Sequence, residues 1–264
     1  MFKEIYWTFL GTTFIFLMTT LGSSMVFFFK KEIKDNVQRI FLGFAAGIMI
    51  SASMFGLLTP AIEQAEVLGM IGWVPAATGF LGGVFFILLL DKLIPHLHSG
   101  KNKIEGVNTN FKRTSLLMTA VTLHNIPEGI AIGLSFALAS QNSYEPSYLA
   151  SAMGLALGIG IQNFPEGAAV SLPLRREGFS TTKAFILGSL SGIVEPIFGV
   201  MTVFISASLE NFMPWLLSFS AGAMMYVVVE ELIPEANLGE HSDTGTLSVM
   251  VGFALMMILD VALG

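Results

Sequence analysis

The stretch HNIPEG, His124 to Gly129, lies inside a long apolar run, and the chain nearly repeats it as QNFPEG at Gln162 to Gly167. On an α-helix, residues four apart share a face. His124 therefore stands over Glu128, and Gln162 over Glu166, with Asn125 and Asn163 three residues before each carboxylate. Each copy predicts a helix that presents nitrogen and oxygen ligands on one stripe. Pro127 and Pro165 remove an N–H and release the carbonyls of Leu123 and Ile161, four residues back. In a bundle, freed carbonyls are tolerated where they line a cavity or find another donor. Gly129 and Gly167 let neighbouring helices approach, which would bring the two stripes together.

The surroundings of these words are membrane-like. The 264 residues are 53% hydrophobic and 12% charged, with a mean hydropathy of +0.73, whereas a soluble domain carries about 25% charge. Apolar stretches broken by polar ones predict eight helices, at 5–29, 39–63, 72–94, 114–139, 147–173, 182–207, 213–235 and 245–263. At 1.5 Å per residue each can cross a hydrocarbon layer of about 30 Å. The runs are continuous rather than alternating, which excludes a β-barrel. The expected fold is an all-α integral membrane protein, read as one domain over 1–264 because no small, polar run is long enough for a linker. The opening MFKEIYW lacks the layout of a cleaved signal and reads as the start of a retained first helix.

Charge placement orients the bundle. Lys30, Lys31, Lys34 and Arg39 flank the first connection. Lys92, Lys101, Lys103, Lys112 and Arg113 flank the third, and Arg175, Arg176 and Lys183 the fifth. Only Lys3 lies elsewhere, so 12 of 13 cations fall on alternate loops. The positive-inside rule turns those loops to the cytoplasm and both termini outward. The seventh connection, Ala236 to Gly245, carries no cation and follows from the helix count alone.

The chain also repeats in inverted order. FAAGIM (Phe44 to Met49) on the second helix matches FSAGAM (Phe219 to Met224) on the seventh. LLTPAIE (Leu57 to Glu63) matches ELIPEA (Glu231 to Ala236) with a one-residue slip. The partners in each pair run in opposite directions, as do the two PEG words on helices four and five. Inverted repeats are typical of alternating-access transporters with a midplane site.

A third polar word, SGIVEPIFG (Ser191 to Gly199), places Glu195 beside Pro196 on the sixth helix. Three carboxylates thus lie well inside predicted spans, and each costs roughly 2.5–3.5 kcal/mol there if unpaired. A divalent cation offsets that cost by neutralising two at once. With no cysteine in the chain, a site of His, Glu and amide oxygens suits Zn²⁺ and other first-row divalent ions. Asn, Gln and Glu shared across the two helices suit a second ion beside the first, with Glu128 and Glu166 bridging.

These residues resemble the ZIP family of divalent-metal transporters, which carries HNxPEG-type motifs on its fourth and fifth helices. The Gln-headed second copy and the SGxxEP segment resemble the family's GufA-like branch. The likeness covers essentially all eight helices. It implies uptake of zinc or related ions toward the cytoplasm through a binuclear centre. His124, Glu128, Gln162 and Glu166 match the first metal site. Asn125, Asn163 and Glu195, with bridging Glu128 and Glu166, match the second. It further implies a homodimer in which one helix group slides against the other. Gln162 stands where some members have His, and Asn163 where others have Asp. The metal, Zn²⁺ or Cd²⁺ among others, is cargo rather than cofactor, and no nucleic-acid partner is expected.

Polar residues at the helix ends suggest a route. Glu63 and Glu66 are candidates for an outer mouth. Asp91, His96, His98, Glu230, Glu231, Glu235 and His241 are candidates for a cytoplasmic exit. The protein is not read as an enzyme. An intramembrane metal-dependent hydrolase is the rival from another class, but H-E-x-x-H is absent and no second His lies near enough to complete a His₂ site. A passive metal-cation channel is the third reading. No G-x-x-x-x-G-K-[ST] segment points to ATP. The short loops fit a prokaryotic inner membrane, with the protein crossing it many times. A membrane-impermeant amine label should leave the Lys-rich loop 101–113 unmodified when added outside and modify it in inverted vesicles; labelling from outside would reverse the orientation.

Overall fold

The computed structural model describes residues 2–28, 35–93, 113–176, 178–206, 209–236 and 243–263. Every regular element among them is helical: α1 (Phe2–Ser23), α2 (Asp35–Ser51), α3 (Thr59–Val67), α4 (Trp73–Leu93), α5 (Arg113–Gln141), α6 (Pro146–Arg176), α7 (Thr181–Ser191), α8 (Val194–Ser206), α9 (Met213–Val227), α10 (Ile233–Ala236) and α11 (Asp243–Leu263). A π-helical segment, Ala52–Leu58, joins α2 to α3, and another, Val228–Leu232, joins α9 to α10. Eight rods result, each over one predicted span. Six are long and apolar enough to cross a membrane. The other two, α5 and α6, have the length at 29 and 31 residues, but carry the PEG words.

Local chemistry explains the ends and the breaks. Gly69 (φ +73°) closes α3. Its N–H donates to the Glu66 carbonyl at 2.9 Å, and that of Met70 to Ala65 at 2.9 Å, the paired bonds of a Schellman motif. The Ser180 hydroxyl caps α7 by accepting from Lys183 N–H at 3.3 Å. The sixth span, expected as one helix over 182–207, is two. The break falls at Gly192 and Ile193, and Pro196 sits in the first turn of α8, where a missing N–H is no loss. The two π segments have a matching cause. Thr59 and Ile233 each precede a proline, and their N–H groups reach five residues back, to Met54 and Val228. The one-residue slip between the repeated words falls where these segments, seven and five residues long, differ.

Packing follows the repeat. The most extensive helix contacts join α1 to α6, α5 to α8, α2 to α11 and α4 to α9. Exchanging the first span with the sixth, second with seventh, third with eighth and fourth with fifth turns these pairs into one another. Glycines make the same exchange visible at atomic level. A Cβ on Gly47 of FAAGIM would run into the Val249 carbonyl of α11, and one on Gly222 of FSAGAM into the Phe80 carbonyl of α4. In the other half, a Cβ on Gly167 would meet the Thr19 carbonyl, and one on Gly129 the Glu195 carbonyl at 2.5 Å. Backbone-to-backbone closure through small residues is how helices associate where lipid removes the hydrophobic drive.

Two sets of rods emerge: α1, α5, α6 and α7–α8 in one, and α2–α3, α4, α9–α10 and α11 in the other. Both PEG words and Glu195 belong to the first set. Gly47→Leu should therefore lower the yield of monodisperse protein and its melting temperature, because the α2–α11 contact has no volume to give and overpacking typically costs 1–3 kcal/mol; size-exclusion profiles and thermal unfolding in detergent will read it.

Candidate metal centre

The PEG helices bring their polar stripes together inside the first set of rods. Asn125, Glu128, Gln162, Asn163 and Glu195 are all at most 1% exposed. Glu128, Gln162, Asn163 and Glu195 form a continuous hydrogen-bonded seam. The Gln162 amide donates to Glu128 Oε1 at 2.5 Å and to Asn163 Oδ1 at 2.6 Å. The Asn163 amide donates to Glu195 Oε1 at 3.0 Å, and the Thr19 hydroxyl reaches the same oxygen at 3.3 Å. Asn125 turns its amide to the Ser191 carbonyl at the α7–α8 break, at 3.2 Å.

The remaining oxygens of this seam carry the chemistry. Asn125 Oδ1, Glu128 Oε2, Glu166 Oε1 and Glu195 Oε2 are buried and have no hydrogen-bond partner among the described residues. Leaving such groups unsatisfied costs about 1–3 kcal/mol each, more when charged. Glu166 lies within electrostatic reach of His124 and Glu231, Glu128 within reach of Glu166, and Glu195 within reach of both Glu128 and Glu166. Three carboxylates on three rods thus share one electrostatic neighbourhood, an arrangement that attracts a compact divalent cation.

His124 departs from the expected pattern. Its Nε2 stands 2.6 Å from Glu231 Oε1, on the π segment of the seventh span. Glu231 was expected among the residues that end the seventh helix; the structure seats it against the first PEG word, from the opposite set of rods. A regular helical reading misjudges which way a side chain in a π turn points. Among the described residues no three His, Asp or Glu side chains form a ready-made metal cage. The ligands instead hold one another, so a cation taking His124 Nε2 must share it with Glu231 or displace it.

The outer candidates separate. Glu63 lines a cavity of about 470 Å³ with Thr59, Glu145, Tyr148 and Asp260. Glu66 does not line it; its side chain lies over Gly72, since three residues further along α3 is the next turn of the surface. Glu145 and Asp260 were missed. Asp260 is 7% exposed, and its Oδ2 has no partner among the described residues; an acid inside the apolar run MMILDVAL was the available signal. At the other end of the bundle the Tyr226 hydroxyl donates to Asp91 Oδ2 at 3.1 Å, and Glu230 lies beside Glu231 in the π segment. His96, His98 and His241 lie outside the described residues, as does the side chain of Glu235. Sequence reasoning also missed Ser220, whose hydroxyl donates to the Pro127 carbonyl at 3.1 Å from the second set of rods.

A buried seam of carboxylates and amides inside one of two packed sets of long apolar helices, with an imidazole reaching across to the other, defines a multi-pass membrane protein of the transporter class. The family model described as ZIP Zinc transporter matches residues 5–115 and 108–260, and the chain belongs to that family. It is 34% identical to the protein named Zinc transporter ZIP11 from Homo sapiens, over 99% of this chain and 98% of the relative. It is 37% identical to Zinc transporter GufA from Myxococcus xanthus, over 88% and 90%, which fits the GufA-like branch. With Zinc transporter ZIPB from Bordetella bronchiseptica it shares 38% identity, over 97% of this chain and 81% of the relative. These are transporters rather than enzymes. A double-mutant cycle of His124→Ala and Glu231→Gln, scored by thermal unfolding of the metal-free protein, should return a coupling of about 0.5–3 kcal/mol; additive effects would mean that the 2.6 Å contact contributes nothing to stability.

Proposed function

We propose that the chain carries divalent transition-metal cations, zinc foremost and Cd²⁺, Fe²⁺, Mn²⁺ or Co²⁺ as further cargo, across a membrane toward the cytoplasm. The observation that carries this reading is the set of four buried oxygens on Asn125, Glu128, Glu166 and Glu195 that have no partner among the described residues, drawn from helices four, five and six of a family named for zinc transport. Such oxygens replace the water that a cation loses on leaving solution.

In this reading His124, Glu128, Gln162 and Glu166 hold one ion. Asn125, Asn163 and Glu195 hold a second, with Glu128 and Glu166 bridging. Gln162 must turn its amide oxygen toward the cargo, because its nitrogen now serves Glu128 and Asn163. The outer mouth is the cavity of Glu63, Glu145 and Asp260, whose rod ends fall on one side of the predicted topology. The inner exit begins at Glu231, which already reaches His124, and continues to Glu230 and Asp91, with His96, His98, Glu235 and His241 beyond. Eight spans, both termini outside, a prokaryotic inner membrane and a homodimer complete the proposal, with all of 1–264 acting as one transport domain.

The division into two sets of rods supports alternating access. The ligands ride on one set, and the polar bonds His124–Glu231 and Ser220–Pro127 reach across to the other. Sliding one set along the other breaks such bonds and exposes the ligands to the opposite side, while the glycine contacts inside each set stay closed.

Purified protein in liposomes should take up Zn²⁺ saturably. Glu128→Ala combined with Glu166→Ala should reduce uptake to the level of empty liposomes, and unchanged uptake would defeat the proposal. Acid should weaken binding, because carboxylates must be ionised and imidazole neutral to hold a metal. Calorimetric titration with Zn²⁺ from pH 7.5 down to 5.5 should show the affinity falling, and an affinity that holds or rises would contradict the donor set.

A further inference from the structure

Thr19 lies on the first span, which contributes no ionisable side chain to the seam, yet it is fully buried against Glu195. Its place follows from the repeat. The glycine of the second PEG word closes on the Thr19 carbonyl, as the glycine of the first closes on the Glu195 carbonyl. Thr19 and Glu195 are thus counterparts in the exchange of first and sixth spans, and their side chains meet where the two halves face each other. One half supplies a carboxylate at this position and the other a hydroxyl.

The hydroxyl has one proton and two acceptors, the Ile15 carbonyl at 3.3 Å and Glu195 Oε1 at 3.3 Å. A cargo ligand must be ionised, and a bond to an ionised carboxylate is charge-assisted and the stronger of the two, so in the cargo-binding state the proton goes to Glu195. Asn163 donates to the same Oε1 at 3.0 Å. Both donors therefore engage one oxygen, while Oε2 keeps no partner among the described residues. Gly192 leaves the carboxylate room to adopt this pose, since a Cβ there would sit 3.0 Å from Oε1 and 3.2 Å from Thr19 Cβ.

We propose that Thr19 is a positioning residue for metal cargo: its hydroxyl fixes Glu195 by one oxygen and so presents the other to the second ion. The inference rests on the reading of Glu195 as a cargo ligand. Groups that orient a metal ligand typically alter affinity by 10–100-fold when removed. Thr19 touches no ion itself and acts through Glu195.

The test compares wild type, Thr19→Val, Thr19→Ser, Glu195→Gln and the Thr19→Val/Glu195→Gln double variant in liposomes, with Zn²⁺ as probe. Flux gives KM and maximal rate, and calorimetry gives the number of ions bound. Thr19→Val, nearly isosteric, should raise KM about tenfold or more and reduce binding of the second ion, while Thr19→Ser recovers both. The double variant should be no worse than Glu195→Gln alone. If Thr19→Val does not yield folded protein, Thr19→Ala removes the same hydroxyl with less bulk and carries the same expectations. An unchanged KM and stoichiometry in the hydroxyl-free variant overturns the proposal, as does a loss that adds in full to that of Glu195→Gln. Absence of saturable flux in the wild type would instead defeat the transport reading itself.

Discussion

A carboxyl group in a dry, low-dielectric interior needs a proton, an opposite charge or dense hydrogen bonding, and this protein buries three of them close together. Glu128, Glu166 and Glu195 sit on three rods whose other residues are mainly apolar, and amides from Gln162 and Asn163 and a hydroxyl from Thr19 satisfy only part of them. The rest of the architecture can be understood as what this demand requires. A donor from the second set of rods also reaches the main chain at the first PEG word, where the Ser220 hydroxyl donates to the Pro127 carbonyl. Glycines bring rods close enough for ligands on separate helices to share a site.

The repeat supplies a second organising constraint. Each half alone offers one PEG word and cannot surround a cation. Opposed in the bundle, the two words face each other with nearly equivalent ligands. The places where equivalence fails are chemically telling: His124 against Gln162, and Glu195 against Thr19. In the two-ion reading proposed above, these differences would give the positions unlike ligands, one with imidazole and one richer in amide and carboxylate oxygen.

Much of this was legible in the residues. Eight apolar runs became eight rods because in lipid a backbone must satisfy itself, and helix length is fixed by membrane thickness. HNIPEG and QNFPEG led to the seam because polar groups at helical spacing in an apolar run have few other reasons to be there. What escaped was of another kind. The partner of His124 came from a π turn, and i→i+5 bonding leaves little trace in sequence except the proline that follows it. The break in the sixth span depends on Gly192 acting together with Pro196, each unremarkable alone. Thr19 looked like any helical threonine, whose hydroxyl normally returns to its own backbone. Only the three-dimensional pairing of first and sixth spans distinguishes it.

The glycine clasps at Gly47 and Gly222 have a thermal corollary. A soluble core is held together by expulsion of water, a drive that weakens on cooling. Here main chain rests on main chain in an oily solvent, so cohesion comes from dispersion and close fit. The frame formed by α2, α4, α9 and α11 should consequently keep its grip in the cold, and what stiffens first at low temperature is the surrounding lipid rather than the protein's own joints.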